Sequence, residues 1–186
     1  MIDRNLIGPS SVVLVSGGGR GITAECVIRL AESAHCSFIL LGRTPVDETL
    51  PEWAKEGKTE AELKRNIMDH LKASGDAPTP PKIQKMYRQI QSQLEVEHTL
   101  EAVRRAGSQA EYIRVDITDG KELQKKLVEP ISRLGKVTGI IHGAGSLADK
   151  RIEKKSIQDF EAVFSPKVDG LENLSLIHIS EPTRPY

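Results

Sequence analysis

The sequence predicts an α/β chain built on a doubly wound parallel sheet. Three observations carry that reading. Strand-length stretches recur at 12–15 (VVLV), 37–41 (SFILL), 112–117 (YIRVDI) and 137–141 (VTGII), the first two apolar enough for buried strands. Stretches with apolar residues at helical spacing separate them. The first run also ends in glycines, 16–21 (SGGGRG), which lead straight into the first helical stretch.

Bulk composition narrows the classes. A chain of 186 residues is enough for one sizeable core and hardly for two independent domains. Acidic and basic side chains balance at 26 each, so no net field draws the chain to nucleic acid or an anionic membrane. No apolar run approaches the roughly 20 residues of a membrane span, and no signal-peptide pattern opens the chain. A cytoplasmic protein is the expectation. Cys26 and Cys36 lack metal-ligand spacing and read as reduced, packed thiols.

Residues 1–11 carry no strong pattern. A buried strand at 12–15 that runs through Ser16, Gly17, Gly18, Gly19, Arg20 and Gly21 into a helix starting near Ile22 has a definite electrostatic consequence. Unpaired backbone N–H groups and the positive end of a helix dipole converge at one point, which suits a pyrophosphate. Glycine leaves room for the phosphate and tolerates φ > 0. Ile22, Val27, Ile28 and Ala31 mark the helix, which ends near Ser33 or His35. The strand 37–41 follows and stops at Gly42-Arg43-Thr44. In such a βαβ unit the end of the second strand lies beside the adenosine ribose. A basic residue there suits a 2′-phosphate and an acidic one the ribose hydroxyls, so Arg43 points to NADP(H), with Thr44 after it as a further cofactor-binding candidate. The same residue counts against S-adenosylmethionine, and the absence of Gly-Lys-Ser/Thr excludes a P-loop.

Residues of about 47–95 read as a helical insertion after the second strand. Thr59 and Glu62 form a capping box ahead of Leu63, Ile67, Met68 and Leu71. A proline-rich break follows at 75–81. Thr79 and Pro80 then open a helix marked by Ile83, Tyr87, Ile90, Leu94, Leu100 and Val103, which stops at Gly107. The insertion is either a solvated packing ornament or an interface for a neighbouring domain.

The third strand, 112–117, ends at Asp116 and Ile117. The carboxylate there either meets an adenine amino group or closes a strand-end turn. Thr118, Asp119 and Glu122 open a helix with the stripe Leu123, Leu127, Val128, Ile131 and Leu134, closed by Gly135. The fourth strand runs into His142-Gly143-Ala144-Gly145, where small residues let a cofactor lie across the strand ends. His142 is either an acid–base group or a neighbour packed beside the glycines. Ser156 and Asp159 cap a helix with Phe160, Val163 and Phe164 inside. Ser165-Pro166 restarts it, carrying Lys167, Val168, Leu171 and Leu174.

Taken in order, SGGGRGIT, LLGRT, VDITD, IIHGAG and FSPKVDG resemble the short-chain dehydrogenase/reductases, specifically the ketoreductase domain of a modular polyketide or polyunsaturated-fatty-acid synthase. The resemblance covers residues 11 to about 174. It implies a Rossmann-type sheet of order 3-2-1-4, whose fourth strand is an edge where a fifth would add. It implies reduction of a β-ketoacyl thioester on acyl carrier protein, with NADPH, among neighbouring synthase domains. In the family a tyrosine donates the proton, a lysine lowers its pKa and a serine holds the oxyanion. The lysine falls here on Lys167, in its PKV context.

The chain departs from the family pattern in four places. Thr23 stands where many relatives have a third glycine. The run 147–149 (LAD) resembles a leucine–aspartate–aspartate stereochemical element with its middle position changed. None of Tyr87, Tyr112 and Tyr186 has Lys or Asn four positions later, so the proton donor and its serine are missing. Residues 175–186 (SLIHISEPTRPY) resemble no ketoreductase continuation and read as a non-native tail, or else as a frayed natural terminus. The expected object is a cofactor-binding part, 1–174, inactive alone. The competing reading is a nucleotide-binding or scaffolding module that keeps the fold without the chemistry.

Overall fold

The computed structural model describes residues 7–46, 50–56 and 59–179. The start of the expected insertion, the end of the expected tail and Tyr186 lie outside these residues. The elements run β1 (Val12–Ser16), α1 (Gly21–Ala34), β2 (Ser37–Gly42), α2 (Glu52–Glu56), α3 (Glu60–Ala73), α4 (Pro80–Arg105), β3 (Ala110–Arg114), α5 (Gly120–Leu134), β4 (Gly139–His142), a 3-10 turn (Ile152–Lys154), α6 (Ile157–Lys167) and α7 (Asp169–Ile179). The four strands form one parallel sheet in the order β3-β2-β1-β4. That is the predicted order.

The chain divides into two compact units, 1–43 with 99–186, and 44–98. In the first, alternate strand residues face opposite layers. Val12 and Leu14 of β1, with Ile39 and Leu41 of β2, are buried with Leu123 and Leu127 of α5 and Leu174 of α7. Val13, Val15, Phe38 and Leu40 point the other way, onto Val27 and Ala31 of α1 and Val103 near the end of α4. The two central strands are therefore covered on both faces, which is why β1 and β2 read as apolar runs, whereas β3 (AEYIR) and β4 (GIIH) at the edges are only partly buried. The second unit has its own core of Leu50, Ala54, Leu63, Ile67, Leu71 and Ile90.

Local chemistry places the helix ends. Thr59 and Glu62 make the reciprocal capping box, and Ser156 with Asp159 makes another. Asp119 accepts the Glu122 N–H at the head of α5. His35 takes the left-handed conformation (φ 51°) that ends α1, and Gly107 (φ 78°) follows α4.

Several expectations are corrected. β3 spans Ala110–Arg114, not 112–117: Val115 keeps one more ladder bond, from its N–H to the Gly42 carbonyl, and the chain then turns. Val115 and Ile117 are apolar because that turn is buried in the core. β4 begins at Gly139 rather than Val137. Val128 lies on the outer side of α5, 69% exposed. Cys36 is buried, which pushes its thiol pKa up, but Cys26 is exposed. The helix break falls at Val168, one residue after Lys167, and α6 runs straight through Ser165-Pro166. Phe160 and Phe164 are not inside: they stack on each other at 5.2 Å and are 56% and 42% exposed.

Val168 and Leu171 are exposed as well, and β4 is an edge strand. Both features favour self-association. Replacing Phe160 and Phe164 together by Lys is therefore expected to lower the associated fraction in sedimentation without lowering the melting temperature. An unchanged distribution would remove this surface as the cause. Among the described residues no helix is long and apolar enough to cross a membrane.

Candidate functional site: a glycine bend at the strand ends

The bend after β1 needs glycine for more than one reason. Gly17 has φ 71°, and a Cβ there would lie 2.9 Å from the Ala144 N and 3.0 Å from the Gly143 carbonyl carbon. It lets the bend touch the loop leaving β4, backbone against backbone. Gly18 packs under the sheet, where a Cβ would meet Val15 Cγ1 at 2.7 Å. Here the expectation that side chains would block a phosphate is refined: at Gly17 and Gly18 the protein itself fills the space. Gly19 is buried, and its carbonyl accepts the Thr99 hydroxyl at 3.0 Å. Gly21 is the open position, with φ 63° and no atom within 4 Å of an added Cβ.

Arg20 precedes α1 in extended conformation and makes no side-chain cap bond. No acidic residue occupies the first turn, and both Gly21 and Ile22 are exposed, Ile22 at 85%. The leading N–H groups of α1 thus have no intrahelical partner, and the Arg20 side chain does not cap them. An anion is the complement of such an end, so the residues present fit a dinucleotide pyrophosphate.

One strand over, Arg43 follows β2 with its side chain 71% exposed, its Nη1 3.8 Å from Asp116 Oδ2. The other carboxylate oxygen of Asp116 accepts the Thr118 N–H at 3.0 Å and the Thr118 hydroxyl at 2.8 Å. Asp116 therefore closes a turn and is held rigidly. Ile117 is buried among core residues, and Thr44 opens the second unit, partly buried.

On the other side of β1, Ser16 and His142 sit opposite each other in the sheet register. Ser16 Oγ lies 2.6 Å from His142 Nδ1 and accepts the Ala144 N–H at 3.3 Å, while its carbonyl accepts the Gly143 N–H at 2.9 Å. His142 Nε2 is buried without a partner among the described residues. The histidine is thus a packed neighbour of the glycines. The Thr23 side chain lies against Gly143, whose hydrogen leaves the room that a Cβ would take. Threonine in place of a third glycine is accommodated by that opposing glycine.

The loop beyond Gly145 is pinned to α6. Pro166 has no N–H to give the Ala162 carbonyl, and the Ser146 hydroxyl donates to that carbonyl instead. Lys150 holds Asp159 at 2.7 and 2.8 Å. That contact and the Ser156 cap keep the Asp159 carboxyl well below the usual carboxylate range. Lys167, at the end of α6, lies against Gly145: a Cβ on Gly145 would fall 2.8 Å from Lys167 Cε and 3.3 Å from its Nζ. The glycine bend, residues 143–145 and Lys167 come together at the carboxyl end of the sheet, where open parallel sheets bind ligands.

A family model described as the KR domain matches residues 11–184. The chain belongs to the KR domain family. This KR domain is 34% identical over 175 residues to a polyunsaturated fatty acid synthase polypeptide from Thraustochytrium sp., covering 90% of the chain and 6% of that protein. It is 36% identical over 85 residues to polyketide synthase PksL of Bacillus subtilis, covering 46% of the chain and 2% of PksL. The chain thus spans a small part of these relatives. Among solved structures, an N-terminal ketoreductase from the macrolactin assembly line superposes with TM-score 0.63 at 24% identity, covering 92% of the chain and 26% of that structure. A ketoreductase domain from the bacillaene assembly line gives 0.62 at 24%, covering 96% and 32%. A short-chain dehydrogenase from Mycobacterium paratuberculosis, bound to NAD, gives 0.59 at 18%, covering 90% and 49%. These likenesses show the α/β Rossmann-like fold of this KR.

Sequence reasoning missed two residues that shape this end of the sheet, Thr99 and Ser146. Thr99, in the last third of α4, fixes Gly19. Ser16, already a cofactor-binding candidate, also bridges β1 and β4 by its side chain, and Ser146 anchors the loop to α6. Only the last had a readable signal, since a proline inside a helix frees the carbonyl four residues earlier.

Proposed function

We propose that this KR chain binds NADPH at the glycine bend and belongs to a larger synthase that reduces a β-ketoacyl thioester, carried on an acyl carrier protein, to the β-hydroxyacyl thioester. The observation that carries the reading is the uncapped N-terminus of α1 beside an exposed guanidinium at the end of β2. The amides of Gly21 and Ile22 would take the pyrophosphate, and Arg43, with Thr44, the 2′-phosphate. Asp116 and Ile117 would border the adenine side. Gly143, Ala144 and Gly145 would leave a flat surface over the strand ends. When bound, the dinucleotide would supply the hydride for the keto carbon. Lys167, against Gly145, would hold positive charge near the carbonyl oxygen, where it favours a proton donor in reactive form. None of Tyr87, Tyr112 and Tyr186 carries the family motif, so this chain alone is expected to bind cofactor without turnover.

The test is a fluorescence titration of the chain with NADPH and with NADH. A charge-assisted contact to the 2′-phosphate predicts about tenfold or greater preference for NADPH. Equal affinities would overturn the NADPH assignment, and no binding of either would overturn the cofactor reading.

A further inference from the structure

Arg43 does not stand alone at the ribose end of the site. Its guanidinium is 3.8 Å from a carboxylate that cannot swing away, because Asp116 Oδ1 is tied to both the N–H and the hydroxyl of Thr118. Asp116 is 44% exposed on its side chain, so a ligand meeting Arg43 also meets this carboxylate. The consequence depends on the ligand's charge. A 2′-phosphate on Arg43 has a fixed like charge as its neighbour, a cost that water attenuates without removing. A ribose diol has hydroxyl hydrogens to give, and Asp116 Oδ2, which faces Arg43 only across 3.8 Å, is a good acceptor for them.

We propose that Asp116 is a specificity-determining residue of this site, which restrains the preference for NADPH that Arg43 creates and keeps NADH an accessible ligand. The inference rests on the dinucleotide reading of the site. It assigns the carboxylate a role that neither a strand-end turn nor an adenine contact would give. A turn would affect both dinucleotides alike, and so would a contact to their common adenine. Only a charge beside the 2′ position separates them.

Asp116→Asn keeps the acceptor oxygen for Thr118 and removes the charge. Asp116→Ser keeps a hydroxyl acceptor for the same turn, and serves if the first variant folds poorly. Unfolding monitored by circular dichroism identifies the folded variant. Fluorescence titrations with NADPH and NADH then give the affinity ratio. The expected result is that NADPH binding tightens about three- to tenfold while NADH binding is unchanged or weakens. Equal shifts for both dinucleotides would overturn the proposal and leave Asp116 a turn residue. Weaker NADPH binding would overturn it too, because Asp116 would then be serving to position Arg43. If neither dinucleotide binds the unmodified chain, the cofactor reading falls along with this one. If both bind and the ratio stays fixed, only this one falls.

Discussion

Gly17→Ala is expected to destabilise the fold by about 2–4 kcal/mol and to weaken dinucleotide binding more than tenfold. Two costs add. The native φ of 71° is a left-handed conformation, worth about 1–2 kcal/mol against alanine. The new Cβ would also sit 2.9 Å from the Ala144 N and 3.0 Å from the Gly143 carbonyl carbon. Those are backbone atoms and cannot rotate aside, so the bend and the β4 loop must separate. Separation strains the bonds that Ser16 makes to Gly143 and Ala144 and its contact with His142. Gly21→Ala is the control. It shares a positive φ of 63° but meets open space, so it should cost only the backbone term. Chemical denaturation of the two variants decides the matter. A Gly17 variant no less stable than the Gly21 variant would refute the backbone contact between the two loops.

That contrast also marks how far the sequence could be read. Glycines at 17, 18 and 21 announce a bend between strand and helix. The reason for each is a tertiary matter: a facing loop for Gly17, Val15 and Leu40 for Gly18, open space for Gly21. The centre of the sheet was legible because burial on both faces writes an apolar run into β1 and β2. The end of β3 was not, because Val115 and Ile117 are as apolar as strand residues while serving a buried turn. Ser165-Pro166 looked like a helix start, since proline suits a first turn. In the structure the Ser146 hydroxyl meets the carbonyl that Pro166 leaves free, and α6 continues to Lys167. Phe160 and Phe164 fit a buried stripe by spacing, yet spacing says nothing of what stands opposite, and they are exposed. The glycine bend and Arg43 could be singled out from the order of motifs alone. The fixed carboxylate beside Arg43 emerged only when β2 and β3 were laid side by side.

The same pairing sharpens what Arg43→Asp should do. Removing the guanidinium takes away a charge-assisted contact worth about 1.5–3 kcal/mol to a 2′-phosphate, roughly 10- to 150-fold in affinity. The new carboxylate adds repulsion beside Asp116, which is itself held in place by Thr118. NADPH binding is thus expected to fall by about two orders of magnitude or more. NADH carries no 2′-phosphate and offers its ribose hydroxyls to either acid, so its affinity should hold or rise, and the preference should invert. Arg43→Ala separates the two contributions: it should lose the NADPH advantage without reversing it. Titration of both dinucleotides against the three proteins reads all of this as ratios, which cancel any general loss of affinity. Should the ratio stay constant across the series, Arg43 lies outside the 2′ site, and the choice of NADPH must rest on some other group at the strand ends.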